Sequence, residues 1–591
     1  MKKKDLRSKE WFDNPKDPGL TALYLERYLN YGLKREDLQS GKPIIGIAQS
    51  GSDLSPCNRH FQALSNVIKD GIREAGGVPM EFPTHPIQET GKRPTAGLDR
   101  NLSYLSLVEV LYGYPIDGVI LTTGCDKTTP AALMAAATVN IPSIVLSGGP
   151  MLDGTYKGKK AGSGTIIWEA RRLHAKGEIS YEEFMDMAAA SAPSIGHCNT
   201  MGTASSMNSI AEALGMSLTG GAIIPAPYKE RESISFKTGK RIVEMVHEDL
   251  TPSKIMTKKA FENAIYVASA IGASSNCPPH LTAIARHMGI DFGIDNWEKL
   301  GHDIPLLVNC QPAGEHLMEG FFKAGGIPAI MQELMKNNKL HKELMTVTGK
   351  TIAENLIEKI DIDENIIKSF KNPLVNNAGF IVMRSNFFNS AVMKTSVISS
   401  EFRKRYLSNP TSLNLFEANA VVFEGPEDYH LRINDESLNI DENSILMIRG
   451  CGPVGYPGSA EVVNMQPPDK LLKQGINTLP TLGDGRQSGT SESPSILNVS
   501  PESAIGGSLL IVETGDKIKI DLNNSRIDLM ISSEEIEKRR KKVKIPKLEN
   551  QTPWQEISRK MVGQLETGAC LETETLYLDI TNTKGMPRHS H

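Results

Sequence analysis

The sequence predicts an α/β protein: an N-terminal α/β/α domain with a largely parallel sheet, followed by a β-rich, barrel-like second domain. Three observations predict it. Short apolar runs alternate with longer helical segments through the first half, as strands joined by crossover helices do. After about residue 385 the chain turns to closely spaced β-like runs separated by Gly, Pro, Asp and Asn, the habit of a barrel or sandwich. Gly and Pro, at 51 and 34 of 591 residues, stay far below the roughly 25–30 per cent that marks low complexity. The chain is therefore expected to be globular throughout.

In order, PIIGIAQSGSD (43–53), GVPMEFPTH (77–85), DGVILTTGCDK (117–127) and IPSIVLSGGP (141–150) read as buried strands. Segments 61–75 and 100–112 between them have helical character. In such sheets the loops after the carboxyl ends of the strands build the site. Residues 165–215 read as helical, with Ser180 a plausible N-cap and Glu183 at the capping-box spacing. Further on, ANAVVFEG, SILMIRG, GSLLIVETGDKIKIDL and RIDLMI read as strands of the second domain. The expected division is 1–385 and 386–591. RRKKVKIPK (539–547) after SSEEIEK reads as a solvated helix end.

Composition removes several function classes. The net charge is −4 with both signs interspersed, and the pI is near 6.4, which argues against a nucleic-acid or membrane-surface protein. The start MKKKDLRSKEWFDNP has no apolar stretch behind it, unlike a secretory signal. The Ala-rich stretch 131–146 is broken by Asn140 and Pro142 and falls short of a membrane span. A cytoplasmic location is expected, where the seven cysteines stay as free thiols. No CxxC occurs, so a zinc ribbon or thioredoxin-like motif is ruled out. GCGPVG supplies a formal G-x-G-x-x-G at Gly450, Gly452 and Gly455, but Pro453 and Pro457 prevent the helix a dinucleotide site needs.

Three constellations remain. Cys57, Cys125 and Cys198 lie in polar, loop-like surroundings, whereas a core cysteine usually has apolar neighbours; their spacing matches no local ligand signature. Glu89, Asp126 and Glu461 lie in Gly- or Pro-punctuated segments where a carboxylate could ligate a hard cation. Lys127 adjoins Asp126 and would by itself read as a surface cation. The segment GDGRQSGTSESPSILN around Ser488 is dense in Gly and hydroxyls but lacks the G-x-S-x-G elbow of hydrolases. Taken alone it could be an ordered turn.

GCDKTTPAALMAA, HCNTMGTASSMN, AEVVNM and DGRQSGTSESPSILN, in this order, strongly resemble the dihydroxy-acid and sugar-acid dehydratase family, which includes branched-chain dihydroxy-acid and 6-phosphogluconate dehydratases. The likeness runs from LRSKEWFDNP to GDKIKIDL. HPIQETGKRPTA, TTGCDKTTPA, GHCNTMGTA and GRQSGTS look like the branch acting on the pentonates arabinonate or xylonate. The branched-chain enzymes typically carry a GRFSGG-type serine loop instead. The resemblance implies a hydro-lyase that removes water from a 2,3-dihydroxy aldonic acid to give a 2-keto-3-deoxy acid. It implies that Cys57, Cys125 and Cys198 bind an iron-sulfur cluster, of the 2Fe-2S rather than the 4Fe-4S type. Three thiolates would leave one iron position open. It implies that Glu89, Asp126 and Glu461 bind Mg2+, that Lys127 is carbamylated into a further oxygen ligand, and that Ser488 is the catalytic base with Thr490 as a supporting hydroxyl.

By the same resemblance the partners are a small sugar-acid substrate and further copies of the chain, as a homodimer or homotetramer, with neither nucleic acid nor membrane. Competing readings stay open at this point. A cluster-free magnesium lyase needs the acids and Lys127 but no cysteines. A nucleotide-dependent oxidoreductase needs the Gly450 loop to bind phosphate, and an inactive homologue keeps the fold alone. A branched-chain or hexonate dehydratase of the same family is the nearer alternative.

Overall fold

The computed structural model describes residues 5–30 and 32–589; the basic tetrapeptide that opens the chain lies outside them. The first sheet has four strands, β1 (Ile44–Gln49), β2 (Val78–Pro83), β3 (Gly118–Thr123) and β4 (Ser143–Ser147), in the order β2-β1-β3-β4. All three pairings are parallel. The crossovers are the helices Phe61–Glu74, Gly97–Gly113 and Thr128–Val139. Strands β1, β3 and β4 are buried along their whole length, which is why they read as unbroken apolar runs rather than alternating ones.

The edge strand β2 is protected by its own sequence. Val78 N donates to Pro43 O and Thr84 N to Gln49 O, so the alternation turns Pro79, Glu81 and Pro83 outward. Two of these have no N–H and the third carries a charge, which discourages pairing with another strand.

Helices Thr165–Lys176, Tyr181–Ala190 and Thr203–Ala213 follow, after a small hairpin, β5 (Gly154–Tyr156) and β6 (Lys159–Ala161). Ser180 caps the second of these helices by accepting from Glu183 N at 3.1 Å. Only this half of the capping box forms, because the Glu183 carboxylate turns to Lys157 and Tyr156 of the hairpin.

The second sheet has eight strands: β7 (Phe380–Met383), β8 (Ser390–Lys394), β9 (Leu415–Phe423), β10 (Ser444–Ile448), β11 (Thr481–Gly483), β12 (Ser495–Ser500), β13 (Lys517–Asp521) and β14 (Arg526–Leu529). Their order is β14-β13-β9-β10-β11-β12-β8-β7. The central four run parallel, and the flanking pairs are antiparallel. The two ends nearly meet: Arg384 N donates to Ser525 O, and Ile527 N donates to Arg384 O, both at 2.9 Å. The sheet is thus a nearly closed barrel filled by residues such as Met383, Met393, Ile445, Met447 and Ile518.

Three features depart from the expected pattern. The second sheet already begins at Phe380. The run SLLI folds as a 3-10 turn, Ser508–Ile511, because Gly506 with φ +91° and the bond from Gly507 N to Glu502 O turn the chain away from the sheet. After residue 553 the chain leaves the barrel and packs on the first domain. Cys570 and Ile580 join that domain's core, Arg100 donates to Gly568 O and Ala569 O at 2.8 and 2.6 Å, and Thr581 Oγ1 donates to Val139 O at 2.6 Å. Arg539 lies near the end of the helix Ser533–Arg540 and pairs with Asp516 and Glu535. Among the described residues no helix is long and apolar enough to cross a membrane.

Candidate active and metal-binding site

Every strand of the first sheet contributes at its carboxyl end. Cys57 sits in the 3-10 turn Pro56–Asn58 after β1, Glu89 in the loop after β2, and Cys125, Asp126 and Lys127 between β3 and the helix Thr128–Val139. Cys198 is held from β4: Met151 N donates to His197 O and His197 N to Gly149 O. Asn58 joins two of these loops, accepting from Cys125 N at 2.8 Å and donating to Ser50 Oγ. Gly124 is required here, since a Cβ would lie 2.3 Å from Asn58 Oδ1. The barrel supplies the rest from loops after its parallel strands β10 and β11, Glu461 and then Ser488, with Glu461 and Arg486 bridged through their backbones.

The structure brings Glu89, Asp126 and Glu461 together, with one oxygen of each within 4.8 Å of the others. Lys127, 1% exposed rather than on the surface, lies 2.8 Å from Glu89, 2.8 Å from Asp126 and 3.8 Å from Glu461. Arg486 adds a second buried cation, 2.8 Å from Glu461 and 3.6 Å from Glu89. Three carboxylates face two cations, which leaves one negative charge over. Burial, reinforced by Glu89, therefore pushes Glu461 up to about 7, against the pull of Arg486 and Lys127. Burial would also raise Glu89, but Lys127 and Arg486 more than reverse this and hold it below its ordinary value. Asp126 Oδ1, although beside Lys127, receives no hydrogen bond. A buried all-oxygen donor set with surplus charge and an undonated oxygen suits a hard divalent cation.

The three loop cysteines are also brought together. The Cys57 and Cys125 thiols share a hydrogen bond, which lowers Cys57 and, together with burial, raises Cys125. Burial, then the nearby Cys57, pushes Cys198 up to about 12. Each sulfur also accepts from a nitrogen or oxygen: Gln88 Nε2 to Cys57 at 3.3 Å, Glu89 N to Cys125 at 3.4 Å and Ser163 Oγ to Cys198 at 3.4 Å. Sulfurs that receive hydrogen bonds beside helix starts suit thiolates bound to metal. Cys277, Cys310, Cys451 and Cys570 instead sit in apolar cores.

Ser488 and Thr490 lie where the barrel meets the Cys198 segment. Gly489 packs so closely that a Cβ would lie 2.6 Å from Thr203 N. Ser488 Oγ and Thr490 Oγ1 are 3.0 Å apart, and Trp168 Nε1 donates to Thr490 Oγ1 at 3.2 Å. With that lone pair engaged, the Thr490 hydroxyl is free to donate to Ser488 Oγ, which also receives Thr490 N at 3.4 Å. Donors aimed at an oxygen favour its anion.

Two members of the site were not singled out from sequence. Arg486 lies in the serine motif, but nothing in the sequence marks it as buried. Asn276, fully buried, donates to Glu461 Oε1 at 2.5 Å and accepts from Arg486 at 3.1 Å. Its position immediately before Cys-Pro-Pro is an N-cap signature; it precedes the helix Cys277–His287. The Gly450 loop binds no phosphate with its amides, because Asp484 takes Gly450 N and Cys451 N while Glu502 takes Val454 N and Gly455 N.

Comparison with known proteins identifies the family. Residues 42–355 match the family described as dihydroxy-acid/6-phosphogluconate dehydratase N-terminal, and residues 365–569 match its C-terminal counterpart. The chain is 59% identical to a D-xylonate dehydratase of Caulobacter vibrioides, over 99% of this chain and 98% of that one. It is 44% identical to an L-arabinonate dehydratase of Rhizobium leguminosarum, over 91% and 92%, and 35% identical to a dihydroxy-acid dehydratase of Acetivibrio thermocellus, over 92% and 96%. With both halves matched in order, the chain belongs to the dihydroxy-acid/6-phosphogluconate dehydratase family.

Proposed function

We propose that this protein is a sugar-acid dehydratase that eliminates water from a five-carbon 2,3-dihydroxy acid, a pentonate such as xylonate or arabinonate, to give the 2-keto-3-deoxy acid. The observation that carries this reading is the buried carboxylate group that both domains build, tied through Arg486 to the loop of Ser488, in a chain 59% identical to a D-xylonate dehydratase. Removing the C2 proton and the C3 hydroxyl needs a base on one side and charge compensation on the other. Ser488, with Thr490 donating to its oxygen, is the base. Glu89, Asp126 and Glu461 hold Mg2+, and Cys57, Cys125 and Cys198 hold the cluster, of the 2Fe-2S type. When bound, these groups supply Lewis acidity toward the substrate carboxylate and the departing hydroxyl. Lys127 Nζ points into the carboxylate group, where carbamylation would turn a cation into an additional oxygen ligand.

The protein acts as a homodimer or homotetramer in the cytoplasm. A panel of aldonic and branched-chain dihydroxy acids, assayed anaerobically for 2-keto product, tests the reading. The pentonates are expected to be turned over fastest; preference for a branched-chain dihydroxy acid, or activity without cluster and magnesium, would contradict it.

A further inference from the structure

We propose that Asn276 is a positioning residue that holds the carboxylate site, the serine loop and the Cys198 segment in one register. The inference rests on the dehydratase reading of this site. Asn276 Nδ2 lies 2.5 Å from Glu461 Oε1, 3.0 Å from Thr203 Oγ1 and 3.3 Å from Gln487 O. These acceptors belong respectively to the carboxylate group, to the first residue of the helix after Cys198, and to the residue before Ser488. An amide nitrogen has two hydrogens, which the three acceptors share.

Arg486 closes the ring from the other side. Its Nη1 donates to Asn276 Oδ1 at 3.1 Å and to Glu461 Oε1 at 2.8 Å, and its Nε donates to Ser459 O at 2.9 Å. Asn276 therefore has its amide orientation fixed, with oxygen toward the guanidinium and nitrogen toward the carboxylate. The fully buried side chain has no solvent to replace a lost partner. Productive sites tolerate displacements of only about 0.5 Å, and a shift here reaches the cation ligand and the base together.

The test uses the full chain, purified anaerobically with its cluster. In Asn276→Ala, Mg2+ alone is titrated calorimetrically without substrate, and its affinity is expected to fall roughly 10- to 100-fold, as for other residues that orient metal ligands. At saturating Mg2+ and substrate, kcat is expected to stay about tenfold or more below wild type, with cluster absorbance unchanged. Lowered thermal stability with wild-type Mg2+ affinity and wild-type kcat per folded molecule would overturn the proposal. So would full recovery of kcat at saturating Mg2+, because the serine loop would then be independent of Asn276.

Asn276→Asp guards against a variant that fails to fold. It keeps the shape and the oxygen that Arg486 uses, but offers no donor to Gln487 O. Its kcat is expected to fall about tenfold or more at saturating Mg2+; a wild-type kcat would overturn the proposal. A wild-type protein that binds Mg2+ yet turns over no dihydroxy acid would count against the proposed function instead, while the Mg2+ comparison would still decide the role of Asn276.

Discussion

At the residue scale, Cys57, Cys125 and Cys198 differ from the other four cysteines in lying in loops outside the apolar cores, with sulfurs that accept from Gln88 Nε2, Glu89 N and Ser163 Oγ. The loop setting was legible in the sequence, because polar, loop-making residues surround each one, SPCNRH, TTGCDK and GHCNT, but the donors were not, since they lie 31, 36 and 35 residues away. The carboxylates were legible in the sequence as loop acids able to ligate a cation, but their grouping only through resemblance, since a lone loop acid has no local signature. Arg486 and Asn276 stayed hidden because burial of a polar group depends on partners distant in sequence, here Glu89 and Glu461 for the one and Thr203 and Gln487 for the other. Replacing Cys57, Cys125 or Cys198 by Ser is expected to abolish visible cluster absorbance and activity, whereas Cys451→Ser leaves both in place. Iron analysis of the purified variants checks this, and a full iron complement in all three would remove the cysteines from the site.

At the scale of elements, the carboxyl ends of parallel strands in both sheets point to one place, and the site is built from the six loops that follow them. Strands β1, β3 and β4 of the first sheet were readable because full burial makes them continuously apolar. SLLI misled because an apolar run carries no mark of the Gly506 turn that precedes it. The helix Thr203–Ala213, which follows the Cys198 segment, is tied at its far end by Glu212, whose oxygens accept from Gly220 N and Ala222 N at 2.7 and 2.9 Å. Burial, only partly offset by those bonds, pushes Glu212 up to about 7 from an ordinary 4.5. Between these values the unfolded chain has lost the proton that the folded chain keeps. Stability from this residue is thus present in acid and falls as pH rises through about 7, by at most about 3 kcal/mol. Urea midpoints at pH 5 and pH 8 are expected to differ less in Glu212→Gln than in wild type; equal differences would contradict this source.

At the scale of the whole molecule, the two domains are joined in several places: Phe380 of the barrel packs on Trp297, and Arg384 pairs with Asp295 and Glu298 of the first domain. The carboxylate group joins them at the site, and the chain beyond residue 553 returns to the first domain through Arg100, Cys570 and Thr581. The sequence showed a change of character near residue 385, but not this return, because short polar turns with a few apolar residues look alike whichever core they enter. We expect light scattering at micromolar concentration to give a mass of at least twice the 64.6 kDa of one chain; a single-chain mass would contradict the proposed oligomer. The central claim is that a barrel serine acts on a substrate held at the carboxylate group that both domains build. It is tested most directly by kcat of Ser488→Ala on a pentonate, followed together with exchange of the C2 hydrogen for solvent deuterium. The account predicts a fall of roughly 10² to 10⁴ in kcat with exchange suppressed and with cluster absorbance and Mg2+ affinity intact. A folded, cluster-bearing Ser488→Ala protein that turns over at near the wild-type rate would contradict it.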